Sequence, residues 1–297
     1  MSQKRQPRVL VTGAAGMLGS QVLLSMPDGE SAVGTDLKEA PGVPAVGVDL
    51  ADAVQVAALF EEHGPFSGVI HCAAYTAVDK AEEEPELARR VNADACEVLA
   101  TECARHGVPL VMISTDFVFD GAKGAPYVET DATGPLSVYG ATKLEGEQRA
   151  LAAHPEGTRV VRTQWLYGPR GKHFPKTIEG LAREREELKV VADQFGSPTS
   201  TLELSPALWD VLRKGEPGVY HAACEGSCSW YELACAVVVF CGIESVKVLP
   251  CTTEEFPRPA QRPANSVLDC GKLTALRGKA LAPWREALGT YLGSEEH

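Results

Sequence analysis

The sequence predicts an α/β protein, a Rossmann-type doubly wound parallel sheet with a smaller α/β C-terminal substrate-binding region. Apolar runs alternate with helical patterns through the first half of the 297-residue chain, which is typical of a parallel sheet covered by helices on both faces. A glycine-rich turn separates the first strand from the first helix, and Asp36 ends the second strand. These are the positions at which such a fold meets a bound nucleotide.

Each element of the first half depends on an apolar run or a helical period. Predicted strands occupy residues 8–12, 31–36, 68–72, 108–114 and 158–162. Predicted helices occupy residues 17–26, 52–63, 86–106 and 137–153. Pro27 stops the first helix because proline cannot donate an N–H, and Asp52 caps the second because its carboxylate accepts from free amides.

The pattern is looser after Trp165. Predicted helices occupy residues 176–187, 202–213, 230–241 and 283–292, and predicted strands occupy residues 188–192 and 219–221. Prolines and glycines indicate an ordered loop at residues 251–263. We therefore expect a dinucleotide-binding domain over residues 1–165 and a mainly substrate-binding region over residues 166–297, with segments of the two interleaved.

Composition excludes several classes of partner. The net charge of −12 argues against a broad nucleic-acid or anionic membrane surface. The N-terminus lacks the pattern of a signal peptide, and no apolar stretch approaches the ~20 residues needed to span a bilayer. The nine cysteines are scattered and form no CxxC pair. We expect no zinc site and a reducing cytoplasmic environment.

The turn after the first strand carries glycines at 13, 16 and 19, with Met17 and Leu18 between the last two. Glycine lets the backbone approach a diphosphate closely, and the start of the following helix offers free N–H groups and a positive dipole end. The spacing GxxGxxG by itself also fits a plain tight turn. Its place between a strand and a helix favours a dinucleotide-binding turn.

Asp36 is the predicted ribose ligand. A carboxylate there can accept from both ribose hydroxyls and repels a 2′-phosphate, which favours NADH, whereas nearby Lys38 could admit NADPH. The alternative is that Asp36 only begins a turn. Further residues expected along the dinucleotide are Asp49, Leu50, Ala73, Ala74 and Tyr75.

Tyr139 and Lys143 form the predicted catalytic pair, with Thr115 at the end of the fourth strand. The (i, i+4) spacing places the phenol and the ammonium on one helix face. An adjacent ammonium favours the phenolate, so we expect a lowered pKa for Tyr139. Together the three side chains would supply a proton donor and an oxyanion site for a carbonyl that receives hydride. The alternative is an ordinary exposed helix pair.

Seven segments resemble the extended short-chain dehydrogenase/reductases and, within them, the dTDP-4-dehydrorhamnose reductase family. They are AAYTAVDKAE (73–82), STDFVFDG (114–121), PYVETD (126–131), VYGATKLEGE (138–147), RTQWLYG (162–168), DQFGSPT (193–199) and RPANS (262–266). They extend over almost the whole chain, so the resemblance covers both predicted regions.

The resemblance implies hydride transfer from NADH or NADPH to the C4 keto carbon of dTDP-4-dehydro-L-rhamnose. Tyr139 would protonate the developing alkoxide, and Lys143 would hold Tyr139 and the nicotinamide ribose. Thr115, where serine is usual, would orient the keto oxygen. The implied substrate residues are Val78, Asp79, Asp116, Trp165 and Arg262.

Two of these residues have structural alternatives. Arg262 would bind the diphosphate of the substrate, or could form only a surface salt bridge. Asp79, beside Val78 at the cleft entrance, could be a helix N-cap. His173 departs from the family, which commonly has asparagine there, and leaves the substrate contacts of that asparagine in doubt.

Other readings of the resemblance stay open. The chain could be another nucleotide-sugar oxidoreductase or epimerase, or a non-catalytic subunit resembling the regulatory subunit of methionine adenosyltransferase. The segments around Asp79, Asp193 and Arg262 favour the keto-sugar reductase. A monomer or a homodimer is expected. Some family members join two subunits through a divalent metal such as Mg²⁺, for which no acidic cluster is evident here.

Overall fold

The structure, a computed structural model, describes residues 6–294. Residues 1–5, at the start of the predicted dinucleotide-binding domain, and residues 295–297, at the end of the predicted substrate-binding region, lie outside the described residues. Residues 1–5 are also most of the N-terminal segment that lacks the pattern of a signal peptide.

The strands in chain order are β1 (Arg8–Thr12), β2 (Ala32–Asp36), β3 (Ala45–Val46), β4 (Phe66–His71), β5 (Leu110–Thr115), β6 (Thr158–Thr163), β7 (Leu166–Tyr167), β8 (Glu187–Val191), β9 (Phe195–Gly196), β10 (Thr199–Ser200), β11 (Gly218–His221), β12 (Cys228–Ser229) and β13 (Lys247–Cys251). The helices are α1 (Met17–Leu24), α2 (Ala53–His63), α3 (Val78–Ala81), α4 (Pro85–Arg89), α5 (Ala95–His106), α6 (Val138–Ala153), α7 (Phe174–Glu184), α8 (Thr201–Lys214), α9 (Trp230–Phe240), α10 (Gly271–Arg277) and α11 (Trp284–Leu292). A π-helical turn, Arg90–Asp94, joins α4 to α5, and a 3-10 turn spans Asp116–Val118.

Seven strands form one parallel sheet in the order β11-β6-β5-β4-β1-β2-β3. The chain winds outward from β1 through β2 and β3 and then returns to β4 on the other side of β1. Open α/β sheets bind their ligands beyond the carboxyl ends of the strands at such a reversal. The predicted fold class is confirmed, and the expected location of a site is the edge beyond β1 and β4.

Both faces of the sheet are covered. Along β1, Val9 and Val11 pack on one face with α1 and α8, and Leu10 packs on the other face with α2 and α5. Side chains alternate between faces along a strand, so a sheet buried on both sides needs the continuous apolar run seen here. Trp209 of α8 donates its indole N–H to the Val22 carbonyl of α1 at 3.0 Å.

The second half of the chain contributes to this sheet and also forms a smaller unit. β11 and α8 join the sheet layer. Helices α7, α9 and α11 enclose a separate apolar cluster with the parallel pair β8–β13. No helix within residues 6–294 has the length and apolar character to cross a membrane.

Some elements differ from the sequence-based prediction. The helix predicted over residues 86–106 consists of most of α4, the π-helical turn Arg90–Asp94 and α5 in direct succession. Two elements were not predicted. β13 contains Pro250 and lies in a two-stranded pair. α10 is only seven residues long and has no side-chain cap. Residues 252–263 have no helix or strand, in agreement with the predicted loop.

Candidate active site

A cleft of about 860 Å³ opens at the carboxyl ends of β1, β2, β4, β5 and β6. It brings together most of the predicted site residues. Those in its lining are Gly13, Gly16, Met17, Leu18, Gly19, Asp36, Asp49, Leu50, Ala73, Ala74, Val78, Thr115, Asp116, Tyr139, Lys143, Trp165 and Arg262. Tyr75 and Asp79 are not in the lining.

The glycine turn packs directly on the segment that follows β4. Gly13 has φ +64°, and a Cβ there would lie 2.6 Å from the Ala73 nitrogen, so only glycine fits. The first hydrogen bond within α1 runs from Ser20 N to Gly16 O at 3.1 Å. The amides of Met17, Leu18 and Gly19 precede that bond and have no acceptor within the helix. They form a set of donors suited to an anion.

Asp36 lies beside this turn with both carboxylate oxygens engaged. Ala15 N donates to Oδ2 at 3.0 Å, and Lys38 N donates to Oδ1 at 3.0 Å. The aspartate therefore does begin a turn, as the structural alternative held, and it also faces the cleft. The two backbone contacts hold its negative charge at one place on the cleft wall.

Asp49 pairs with Arg90, which is on the π-helical turn. The Arg90 Nη2 to Asp49 Oδ2 distance is 2.5 Å. The hydrogen bond from Arg90 keeps the pKa of Asp49 below its usual range. Both side chains line the cleft next to Leu50. No local pattern indicates Arg90, because its contact with Asp49 spans 41 positions.

Tyr139 and Lys143 are both in the cleft lining, and the side chain of Lys143 is buried. Lys143 Nζ donates to the Ile113 carbonyl of β5 at 2.6 Å. Burial raises the pKa of Tyr139 to about 12, and the Thr115 hydroxyl acts against that rise. The prediction that Lys143 lowers the pKa of Tyr139 is wrong in this arrangement, because the ammonium is directed at a backbone carbonyl and desolvation of the phenol dominates.

Thr115 and Asp116 form a buried polar pair at the end of β5. The Thr115 hydroxyl donates to Asp116 Oδ1 at 2.9 Å and accepts from Phe117 N at 3.2 Å. Burial raises the pKa of Asp116 to about 6. Its Oδ2 has no hydrogen-bond partner within residues 6–294. The pair lies in the same lining as Tyr139.

Trp165 has a backbone conformation that is uncommon for a residue with a side chain. Its φ is +49°, a value in the left-handed region that costs energy and is often retained at functional sites. Its ring stacks on Trp230 with centroids 3.5 Å apart and planes 11° apart. Both rings line the cleft. Trp230, on α9, was not predicted, because no local motif connects it to Trp165.

Asp79 connects α3 to the loop at residues 252–263. Arg262 Nη2 lies 3.0 Å from Asp79 Oδ1, and Arg258 donates to Asp79 Oδ2. Asp79 is the second residue of α3, whose N-cap is Ala77, so the N-cap alternative is wrong. Arg262 forms the salt bridge of the structural alternative and still lines the cleft.

Tyr75 and His173 have structural contacts away from the cleft. The Tyr75 hydroxyl donates to Glu84 Oε2 at 2.7 Å. His173 is buried and caps α7, with Nδ1 accepting from Lys176 N at 3.3 Å and Nε2 lying 3.1 Å from the Tyr291 hydroxyl. This histidine therefore acts as a helix cap and is not in the cleft lining.

Known proteins resemble this chain over almost its whole length. A family model described as the RmlD substrate binding domain matches residues 7–296. The dTDP-4-dehydrorhamnose reductase of Streptomyces griseus is 40% identical over 293 residues, which are 97% of this chain and 94% of the relative. The chain belongs to the dTDP-4-dehydrorhamnose reductase family.

Two further relatives show the breadth of this reductase family. A Streptomyces antibioticus protein named as a probable dTDP-4,6-dihydroxy-2-methyloxan-3-one 4-ketoreductase is 42% identical, covering 95% of this chain and 93% of that protein. The solved structure of a Bacillus anthracis dTDP-4-dehydrorhamnose reductase in complex with NADP has a TM-score of 0.89 and 37% identity, covering 97% and 99% of the two chains. In this member of the family, residues 6–294 contain no group of three or more His, Cys, Asp or Glu side chains arranged to hold a metal.

Proposed function

We propose that this chain is an NAD(P)H-dependent reductase of the C4 keto group of dTDP-4-dehydro-L-rhamnose, forming dTDP-L-rhamnose. The observation that carries the proposal is the meeting of Thr115, Tyr139 and Lys143 in one cleft with the glycine turn. The names of the Streptomyces griseus and Bacillus anthracis relatives support the substrate, and the NADP complex supports the cofactor.

The cleft fits a nicotinamide dinucleotide. Its volume of about 860 Å³ lies within the range of small-molecule sites. The free amides at the start of α1 suit a diphosphate, and the Asp36 carboxylate suits ribose hydroxyls. When bound, the dihydronicotinamide supplies the hydride.

In the proposed mechanism, Tyr139 gives its phenolic proton to the keto oxygen as that oxygen gains negative charge. A pKa of about 12 keeps the phenol protonated at neutral pH, which is the form that a reduction requires. The Thr115 hydroxyl, released from Asp116 Oδ1, would donate its hydrogen to the same oxygen and orient the carbonyl. Solvent then returns a proton to the Tyr139 phenolate, and Lys143, which the Ile113 carbonyl holds in the same lining, would bind the nicotinamide ribose.

The nucleotide-sugar would lie on the side of the cleft formed by the C-terminal region. We assign the Trp165–Trp230 stack to an apolar face of the sugar or base, Asp116 to sugar hydroxyls, and Arg262 to the diphosphate. Arg262 carries the positive charge that an anionic substrate needs in a protein with a net charge of −12. In this proposal residues 166–297 supply Trp230 and Arg262 to the substrate, and residues 1–165 supply Trp165 and Asp116 together with the dinucleotide-binding turn.

Other assignments belong to the same proposal. All nine cysteines are free thiols, which supports action in the reducing cytoplasm. We propose that the protein acts there as a monomer or a homodimer.

A second candidate function is reduction of a different dTDP-keto-sugar, which the Streptomyces antibioticus relative favours. A panel of nucleotide keto-sugars, assayed by loss of NADH absorbance, separates the two by kcat/KM.

The test of the proposal is Tyr139→Phe. Loss of the proton donor should lower kcat by about 10²- to 10⁴-fold and leave the Kd for NADH unchanged, because the phenyl ring retains the packing. Tyr75→Phe is the matched control, since its hydroxyl contacts Glu84 away from the cleft, and it should keep wild-type kcat.

Two results would contradict the proposal. Wild-type turnover by the Tyr139→Phe enzyme would remove Tyr139 as the proton donor. Binding of NADH without reduction of any keto-sugar in the panel would instead favour a non-catalytic subunit of the kind that binds methionine adenosyltransferase.

A further inference from the structure

Four cationic side chains line the cleft: those of Arg90, Lys143, Lys172 and Arg262. Three of them already have acceptors. Arg90 pairs with Asp49, Lys143 donates to the Ile113 carbonyl, and Arg262 pairs with Asp79. Lys172 is exposed, and within residues 6–294 no acceptor or carboxylate partner contacts its ammonium. Lys172 is therefore the one of these four cations that no acceptor within the described residues already engages.

The position of Lys172 is set by its two neighbours in the chain. His173 is buried as the cap of α7 and contacts the Tyr291 hydroxyl, so it anchors the segment on its C-terminal side. Gly171 has φ +82°, and a Cβ built there would lie 3.6 Å from Met17 Cε and 3.8 Å from Met17 Cβ. Lys172 thus follows a residue that lies against the first residue of α1.

Met17 is also the first of the three residues whose amides have no acceptor within α1. A diphosphate held by those amides would lie beside the segment that carries Lys172. An ammonium is a strong donor to phosphate oxygens, and its charge would offset that of Asp36, which lines the same cleft. The diphosphate of the nucleotide-sugar has its own candidate cation, Arg262, which is held by Asp79 at the α3 side of the cleft.

From these contacts we propose that Lys172 binds the diphosphate of the nicotinamide dinucleotide. The inference rests on the proposed function only in taking NADH or NADPH as the ligand. Lys172 is a binding residue supplied by the second half of the chain, so it would connect dinucleotide binding to the start of α7.

The experiment measures the Kd of the full chain for NADH and for NADPH by fluorescence titration, with no keto-sugar present. Lys172→Ala should weaken both by about tenfold, and Lys172→Arg should restore most of the loss. The salt dependence of Kd should also become shallower in Lys172→Ala, because one charge contact has been removed. Arg170→Ala is the matched control: it removes the same charge from an exposed position two residues away that is outside the cleft lining, and it should leave Kd unchanged.

Each other outcome overturns the proposal in a recognisable way. A loss confined to NADPH would place Lys172 at the 2′-phosphate. An unchanged Kd for both dinucleotides, with a raised Kd for a dTDP-sugar in a separate titration, would place it at the substrate diphosphate. An equal loss of dinucleotide affinity in Arg170→Ala would show that the effect comes from the net charge of the protein and not from a contact made by Lys172. Because binding is measured without turnover, failure of the reductase activity alone does not alter these results.

Discussion

Asp36 is held by the backbone, and its charge has consequences for cofactor choice. Its two oxygens accept from Ala15 N and Lys38 N at 3.0 Å each, so the side chain cannot easily swing away from an added phosphate. We predict that Asp36→Asn raises the preference for NADPH relative to NADH by roughly tenfold, the scale of one removed repulsion of about 1–2 kcal/mol at a solvent-open site.

The measurement is the ratio of kcat/KM with the two dinucleotides. Glu39→Gln removes a nearby exposed carboxylate that is outside the cleft lining, and it should leave the ratio unchanged. An unchanged ratio in Asp36→Asn would dismiss Asp36 as the ribose ligand.

The site residues that the sequence predicts correctly are those whose role depends on a short local pattern. The glycine turn, Asp36 at a strand end and the Tyr139–Lys143 spacing are of this kind, and the structure places all of them in the cleft. The pKa of Tyr139 was not predictable, because it depends on burial by the assembled fold. Arg90 and Trp230 enter the cleft from helices remote in sequence, and no local motif indicates them.

At the scale of elements, a buried ion pair fixes α6 against β6. Arg162 Nε lies 2.9 Å from Glu147 Oε1, and its Nη2 lies 2.6 Å from Oε2, with side chains 5% and 2% exposed. Glu147 lies one helical turn beyond Lys143. The pair therefore joins the helix that carries the proposed catalytic residues to the sheet.

Breaking this pair from one side should be costly. We predict that Arg162→Met lowers the free energy of unfolding by about 3–5 kcal/mol, because the Glu147 carboxylate is left buried without its partner. The double variant Glu147→Leu with Arg162→Met should recover much of that loss. Urea unfolding of the two single variants and the double variant checks this, and strictly additive losses would show that the two side chains do not act as a pair.

Elements were predictable where the sequence period matched the structure over a long span. The core strands, α5 and α6 meet this condition. The π-helical turn between α4 and α5 has a different period, and no local pattern predicts it. Short elements such as β7, β9 and β10, each of two residues, form only because tertiary packing brings their partners together. A two-residue strand has no period to detect.

At the scale of the whole molecule, buried histidines make stability depend on pH. Burial lowers the pKa of His71 to about 3 and those of His173 and His221 to about 4. Because these values lie below the ~6.5 of an unfolded histidine, the unfolded chain binds more protons, and stability is lost as pH falls below about 6.5. Asp116 acts in the opposite sense: burial raises its pKa to about 6, so its protonation favours the native state over a similar range.

Three histidines against one aspartate leave a net uptake of about two protons on unfolding near pH 5. We therefore predict that these four groups lower the free energy of unfolding by roughly 3 kcal/mol per pH unit around that pH. Replacing His173 by asparagine keeps a helix-capping side chain and removes one of the three histidines. It should lower the slope by about 1.4 kcal/mol per pH unit, as measured by urea unfolding between pH 7 and pH 4.5. An equal slope in the two proteins would mean that His173 is not neutral in the native state, and the capping of α7 by its Nδ1 lone pair would have to be abandoned.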